Sequence, residues 1–221
     1  MKIVLINGSP KMGDSASGSL LTDLKNCSKD FEGHEIAELG LHTAAVPKDM
    51  AEALANADAI VFACPLYVDG IPGHLLSCLT ELERQSQTFL WQTSLWQEHK
   101  PLIYGIVNCG FYEGIQAQYA LEVLRNWAAK SGCTWGGGIG VGGGGGLSQM
   151  PTVKGGHGPK APVEKALAAM ADIIPKGKTQ ENLYVSVAFP RFLYKMAAQH
   201  GWRRMIKANG GKTKDLGKIP K

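Results

Sequence analysis

Residues 2–19 read KIVLINGSPKMGDSASGS, and the fold class follows from them. Its first six residues are a short apolar, β-branched run that stops at Gly8. Such a run fits a strand buried on both faces of a parallel sheet. Residues 15–28 then place Leu20, Leu21, Leu24 and Cys27 at helical spacing. Between strand and helix lie Gly8, Gly13 and Gly18 together with Ser9, Ser15, Ser17 and Ser19. A helix N-terminus offers unpaired N–H groups and a partial positive charge, which suit a phosphate. Ser9, Ser15 and Ser17 add hydroxyl donors, and Lys11 adds a full charge. Helix capping alone accounts for one serine, not four.

Outward from this unit, strands and helices alternate. Strands are expected at 34–39, 58–64 (DAIVFAC), 102–108 (LIYGIVN) and 133–141. Helices are expected at 47–57, 72–83, 114–131, 163–174 and 189–208. On the helix at 114–131, Ile115, Tyr119, Leu121, Val123, Leu124 and Trp127 mark the expected buried side. Five strands in alternation predict an α/β fold, a doubly wound parallel sheet covered on both faces. Ligands of such sheets sit beyond the carboxyl ends of the strands, where strand order reverses. The loops after Asn7, Cys64 and Asn108 are therefore the expected site.

Two segments break the repeat. Residues 82–100 read as an insertion carrying Phe89, Trp91 and Trp96, a lid or a partner surface. Residues 142–162 are rich in Gly and Pro and read as a loop.

The bulk properties exclude several classes. The 221 residues are 44% hydrophobic and 19% charged, a globular composition with room for one sizeable core. No apolar run approaches the ~20 residues that span a bilayer, and no signal-peptide pattern is present. Cys27, Cys64, Cys78, Cys109 and Cys133 form no C-x-x-C pair, which argues against a disulfide framework or a zinc ribbon. The six histidines lack ligand spacing, so no metal site is expected. A reducing cytoplasm is the expected location. Charge is uneven: residues 1–153 carry 9 Lys/Arg and 15 Asp/Glu, and residues 154–221 carry 14 and 4. The basic end reads first as a solvated face. It leaves room for a weak contact with a membrane surface, and no nucleic-acid partner is expected.

The phosphate pattern narrows the ligand. Asp14 follows Gly13 where a nucleoside-triphosphate loop would carry Lys. The spacing Gly138-x-Gly140-x-x-Gly143 falls in a glycine run with no helix directly behind it, so it does not read as a dinucleotide site. A loop with hydroxyl donors and little else suits a phosphate monoester.

Three pieces, KIVLINGSP with its serine loop, FACPLYVDGIPG at 62–73 and VNCGFYEG at 107–114, together resemble the flavodoxin-like NAD(P)H-dependent FMN reductases and quinone reductases. The resemblance implies a five-stranded sheet in the order 2-1-3-4-5. It implies an FMN-binding domain over about 1–175, followed by a basic helical extension at 176–221. Carried onto this chain, Ser9, Lys11, Ser15, Ala16 and Ser17 would hold the FMN phosphate. Pro65, Leu66, Tyr67 and Val68 would lie along the flavin ring, Pro65 turning the next N–H groups toward it. Asn108, Cys109, Gly110 and Phe111 would meet the ring's polar edge through backbone groups. Cys109 itself reads as a small apolar residue rather than a redox group.

The implied activity is transfer of electrons from NAD(P)H through flavin to a small acceptor such as a quinone or free flavin. No side-chain acid, base or nucleophile is expected to be catalytic, because the cofactor carries the chemistry. A flavodoxin-type electron carrier without NAD(P)H activity is the alternative. The aromatics of the insertion, with Phe111, suggest a homodimer that encloses the flavin.

Overall fold

The computed structural model describes residues 1–27, 31, 33–87, 100–144, 146 and 157–217. The chain forms two compact units, Met1–Val187 and Ala188–Lys221. Phe89, Trp91 and Trp96 lie outside the described residues, as does most of the loop at 142–162.

The first unit is built on strands β1 (Lys2–Asn7), β2 (Glu35–Gly40), β3 (Ala59–Pro65), β4 (Leu102–Asn108), β5 (Thr134–Val141) and β6 (Leu183–Val185). All neighbours pair in parallel, in the order β2-β1-β3-β4-β5-β6. The expected five-strand order is therefore extended by a sixth strand at the edge. Gly177, at φ +61°, turns the chain after a 3-10 turn at Ile174–Lys176. Gln180 then donates its N–H to the Gly136 carbonyl at 2.8 Å. That bond starts a short parallel pairing of β6 with Ile139–Val141. Three residues of strand are too few to show periodicity, so the sequence pattern could not reveal it. The first compact unit runs past residue 175 and includes β6.

The helices of this unit are α1 (Ala16–Asn26), α2 (Lys48–Ala55), α3 (Gly73–Gln87), α4 (Gln118–Lys130) and α5 (Ala161–Ile173). Helix α3 outruns its expected end. Leu82, expected in the insertion, is fully buried within it. Helix α5 begins at the end of the expected loop, with a proline in its first turn, where the missing N–H costs nothing. Its neighbour Lys160 is buried and donates to Asp23 Oδ2 of α1 at 2.7 Å.

Strand β3 is buried along all but its last residue, as a central parallel strand must be. Phe62 packs edge-to-face on Trp127 of α4, with ring centroids 5.3 Å apart. The Trp127 indole N–H reaches the Leu79 carbonyl at 2.7 Å.

Helix α4 corrects part of the expected face. Leu121, Leu124 and Trp127 are buried and Val123 is partly so, but Ile115 and Tyr119 are exposed. The chain enters α4 through a 3-10 turn at Gly114–Ala117. Three residues per turn shift the phase, so Ala117 and Ala120 face inward instead. Gly114 makes this entry feasible. A Cβ there would stand 2.3 Å from the Val185 carbonyl oxygen and 2.4 Å from that of Gly140.

The second unit holds α6 (Arg191–Ala208) and a 3-10 turn at Thr213–Gly217. No residue of α6 is buried. Among the described residues, no helix is long and apolar enough to cross a membrane.

Candidate functional site

The carboxyl ends of β1, β3 and β4 form one continuous ledge. Asn7 stands beside Ala63, and Pro65 stands beside Asn108. The ladder bonds continue into the loops. Gly8 N–H donates to the Ala63 carbonyl at 2.8 Å, and Leu66 N–H to that of Asn108 at 2.8 Å. Cys109 N–H donates to the Val141 carbonyl at 2.9 Å. The three loops expected to carry chemistry are thus brought together on a rigid base.

Two asparagines, each the last residue of its strand, hold the start of α1. Asn7 Nδ2 donates to Ser15 Oγ at 3.2 Å, and Asn7 Oδ1 accepts from Ser9 N–H at 3.1 Å. Ser15 is the N-cap, accepting from Gly18 N–H at 3.1 Å. Ser17 Oγ donates to Asn108 Oδ1 at 2.9 Å in a buried contact. Ser9 Oγ accepts from Lys11 N–H at 3.3 Å. A histidine braces the loop from behind, the His42 ring N–H donating to the Ser9 carbonyl at 2.7 Å.

This geometry sorts the expected phosphate residues. Ser9, an acceptor in these bonds, keeps its hydroxyl proton to donate, whereas the Ser15 hydroxyl also donates to Asn7 Oδ1, at a long 3.5 Å. Ser17 has committed its proton to Asn108, so its side chain offers no donor to an anion. The N–H groups of Ala16 and Ser17, in the first turn of α1, have no intrahelical partner. Lys11 is exposed at the rim. Asp14 is also exposed, and with Glu38 it lines a cleft of about 290 Å³ between the serine loop and β2. Two carboxylates there turn that cleft away from phosphate.

The loop after β3 is a tight reversal. Tyr67 N–H donates to the Gly70 carbonyl at 2.9 Å, and Gly70 N–H returns to that of Tyr67 at 3.1 Å. Val68 at φ +48° and Asp69 at φ +61° both occupy the left-handed region. Such a turn favours Asn-Gly, and a β-branched residue there is strained. Val68 is 100% exposed and Tyr67 is exposed beside it. The N–H groups of Leu66 and Tyr67, expected to turn toward a ring, are committed to Asn108 and Gly70. Val68 and Asp69 are the next in line.

In the loop after β4, Cys109 uses its carbonyl to accept from Gly144 N–H at 2.7 Å, and Phe111 uses its own to accept from Gly143 at 2.6 Å. Those backbone groups therefore fasten the loop to the segment after β5. The Phe111 side chain is exposed. A Cβ built on Gly110 would meet nothing within 4 Å, and the same holds at Gly13. Both loops thus border open space. Burial pushes the Cys109 thiol up, away from the reactive thiolate. Among the described residues, no group of three or more His, Cys, Asp or Glu gathers as a metal-ligand set.

Residues 1–131 match the model of the family described as NADPH-dependent FMN reductase, and the chain belongs to that family. No curated protein matches it by sequence. The fold recurs in solved structures of low identity. An FMN-dependent NADH-azoreductase from Bacillus anthracis, in complex with FMN, superposes with TM-score 0.56 at 15% identity, over 79% of this chain and 100% of its own. A flavodoxin, WrbA-like protein from Agrobacterium tumefaciens gives 0.53 at 15% identity, over 79% and 95%. An NADH:FMN oxidoreductase in its apo form gives 0.55 at 15% identity, over 81% and 91%.

Sequence reasoning overlooked the side-chain role of the two asparagines. The available signal was that KIVLIN and LIYGIVN both end in Asn at the ledge.

Proposed function

We propose that this chain binds FMN on the ledge and passes electrons from NAD(P)H through it to a small acceptor such as a quinone or free flavin. The observation that carries the reading is the braced N-terminus of α1. There, the Ser9 hydroxyl proton, a Ser15 hydroxyl held by Asn7 Oδ1 only at 3.5 Å, and two first-turn N–H groups gather at the end of β1. Ser9, Ser15, Ala16 and the backbone of Ser17 hold the phosphate, with Lys11 screening its charge from the rim. Tyr67 and Val68 offer an apolar wall for the ring, and the open space at Gly110 admits its edge. When bound, FMN supplies hydride acceptance from a nicotinamide and onward transfer of electrons. The chain's own part is to orient the ring and keep one face open. The exposed aromatics at Phe111 and Tyr119 suit a second copy that closes the site, so the reading includes a homodimer.

Comparing FMN with riboflavin tests the phosphate reading. Equilibrium titration should show FMN binding far more tightly, because riboflavin lacks the phosphate. Equal affinities would remove the phosphate site from the account. Sedimentation of the wild-type protein tests the dimer, and a monomer at all concentrations would remove it.

A further inference from the structure

Helix α6 carries Arg191, Lys195, Arg203, Arg204 and Lys207 and no acid. Residues 188–221 hold nine Lys/Arg against the single acid Asp215. The same helix leaves large apolar side chains bare: Phe192 is 65% exposed, Met196 64% and Trp202 56%. Neither property is ordinary for a helix that only caps a domain.

The arrangement around the helix is specific. At about 100° per residue, Phe192, Leu193 and Met196 share a side with Arg203, Arg204 and Lys207. The opposite side carries Arg191 and Lys195 toward its start and Trp202, Met205 and Ile206 toward its end. Each side is thus apolar over one half and cationic over the other. The second apolar half is already partly sheltered by the unit's own chain. Gly211 N–H donates to the Ile206 carbonyl at 2.9 Å, and Leu216 joins Trp202, Met205 and Ile206 around a groove of about 420 Å³. Among the described residues, Phe192 and Met196 stay mostly exposed, with Leu193 partly sheltered between them.

We infer that α6 docks on an anionic phospholipid surface, with Phe192, Leu193 and Met196 entering the interface and Arg203, Arg204 and Lys207 resting on the headgroup phosphates of the same side. Charge complementarity selects this occupant. A second copy of the helix would bring five like charges against five. Nucleic acid would satisfy the cations but leave Phe192, Leu193 and Met196 in water. An anionic bilayer surface takes both, the apolar side chains in the interface and the cations on the headgroup phosphates.

The test is co-sedimentation of the whole protein with phosphatidylcholine vesicles and with vesicles that also contain phosphatidylglycerol. The protein should follow the anionic vesicles only, and high salt should release it. Replacing Arg203, Arg204 and Lys207 together by Gln should weaken partitioning by about a hundredfold. Phe192→Ser with Met196→Ser should weaken it too, with far-UV dichroism unchanged. No binding to anionic vesicles, or full binding by the triple Gln variant, overturns the inference. Salt-sensitive binding to duplex DNA without vesicle binding would overturn it in favour of nucleic acid. A dimer that the Ser variant dissociates, again without vesicle binding, would overturn it in favour of self-association.

Discussion

The hydroxyl of Ser17 donates to Oδ1 of Asn108 at 2.9 Å, across 91 positions of sequence, and both residues are buried. One bond thereby joins the first turn of α1 to the carboxyl end of β4. With the Asn7–Ser15 pair, it fixes the direction in which the helix N-terminus points. Positioning of this kind matters for anion binding, because the favourable field falls off within the first turn.

Ser17→Ala should therefore act on stability before it acts on ligand. It leaves Asn108 Oδ1 without its buried donor, a loss of about 1–3 kcal/mol in urea unfolding. Ser17→Ala and Asn108→Ala combined should cost less than the sum of the two singles. Ser15→Ala should cost about 1 kcal/mol through the lost cap and lower FMN affinity more than Ser17→Ala does. A Ser17→Ala protein with unchanged stability and no FMN binding would make Ser17 a direct phosphate ligand after all.

The Val68 turn offers a change with two opposite signs. Asn tolerates the left-handed region that Val resists, and Val68 buries nothing. Val68→Asn should raise stability by about 1 kcal/mol, within the usual range for relieved backbone strain. The same change should weaken FMN binding, because the ring loses an apolar neighbour. A stabilised protein with unaltered FMN affinity would detach Val68 from the site.

Gly110 separates space from stability. A Cβ there meets nothing within 4 Å, so Gly110→Leu should change the urea midpoint little. It should lower FMN affinity by about tenfold or more, because it fills the room where the ring edge belongs. Retained affinity would place the ring elsewhere.

Much of this was legible in residues 2–19 alone, because a fully apolar strand, a serine-rich loop and a spaced leucine face are local signals. Strands β1, β3 and β4 and the three ledge loops followed from the same periodicity. The sixth strand did not, since its pairing depends on a turn at Gly177 and on glycines in β5 that let backbones approach. The exposure of Tyr119 was hidden by the 3-10 entry to α4. The different hydrogen bonding of Ser9, Ser15 and Ser17 needed the two asparagines in place, and hydrogen-bond partners 91 positions apart leave no mark on local pattern.

Alkaline pH should expose the buried acids of the sheet. Burial pushes the Tyr104 phenol from 10.0 to about 12, and its O–H donates to the Lys178 carbonyl at 2.6 Å. Burial likewise pushes the Cys64 and Cys133 thiols up from 9.0 to about 12. In each case the unfolded chain loses its proton first. Stability is therefore complete below the unfolded values and falls as pH climbs from them through about 12, by up to roughly 1.4 kcal/mol per unit for each group. Tyr104→Phe should be less stable than wild type near neutrality and show a shallower loss above the free tyrosine value. Parallel pH profiles for the two proteins would show that Tyr104 is not a source of the loss.

FMN-dependent reduction by this chain alone is the reading on which the others depend. Anaerobic mixing of the FMN-loaded protein with NADPH, and separately with NADH, while following the flavin absorption band, puts that reading to a single test. It predicts that at least one nicotinamide bleaches the band with no other protein present, and that adding a quinone or free flavin restores it. A yellow protein that neither nicotinamide bleaches would contradict it and leave an electron carrier in its place.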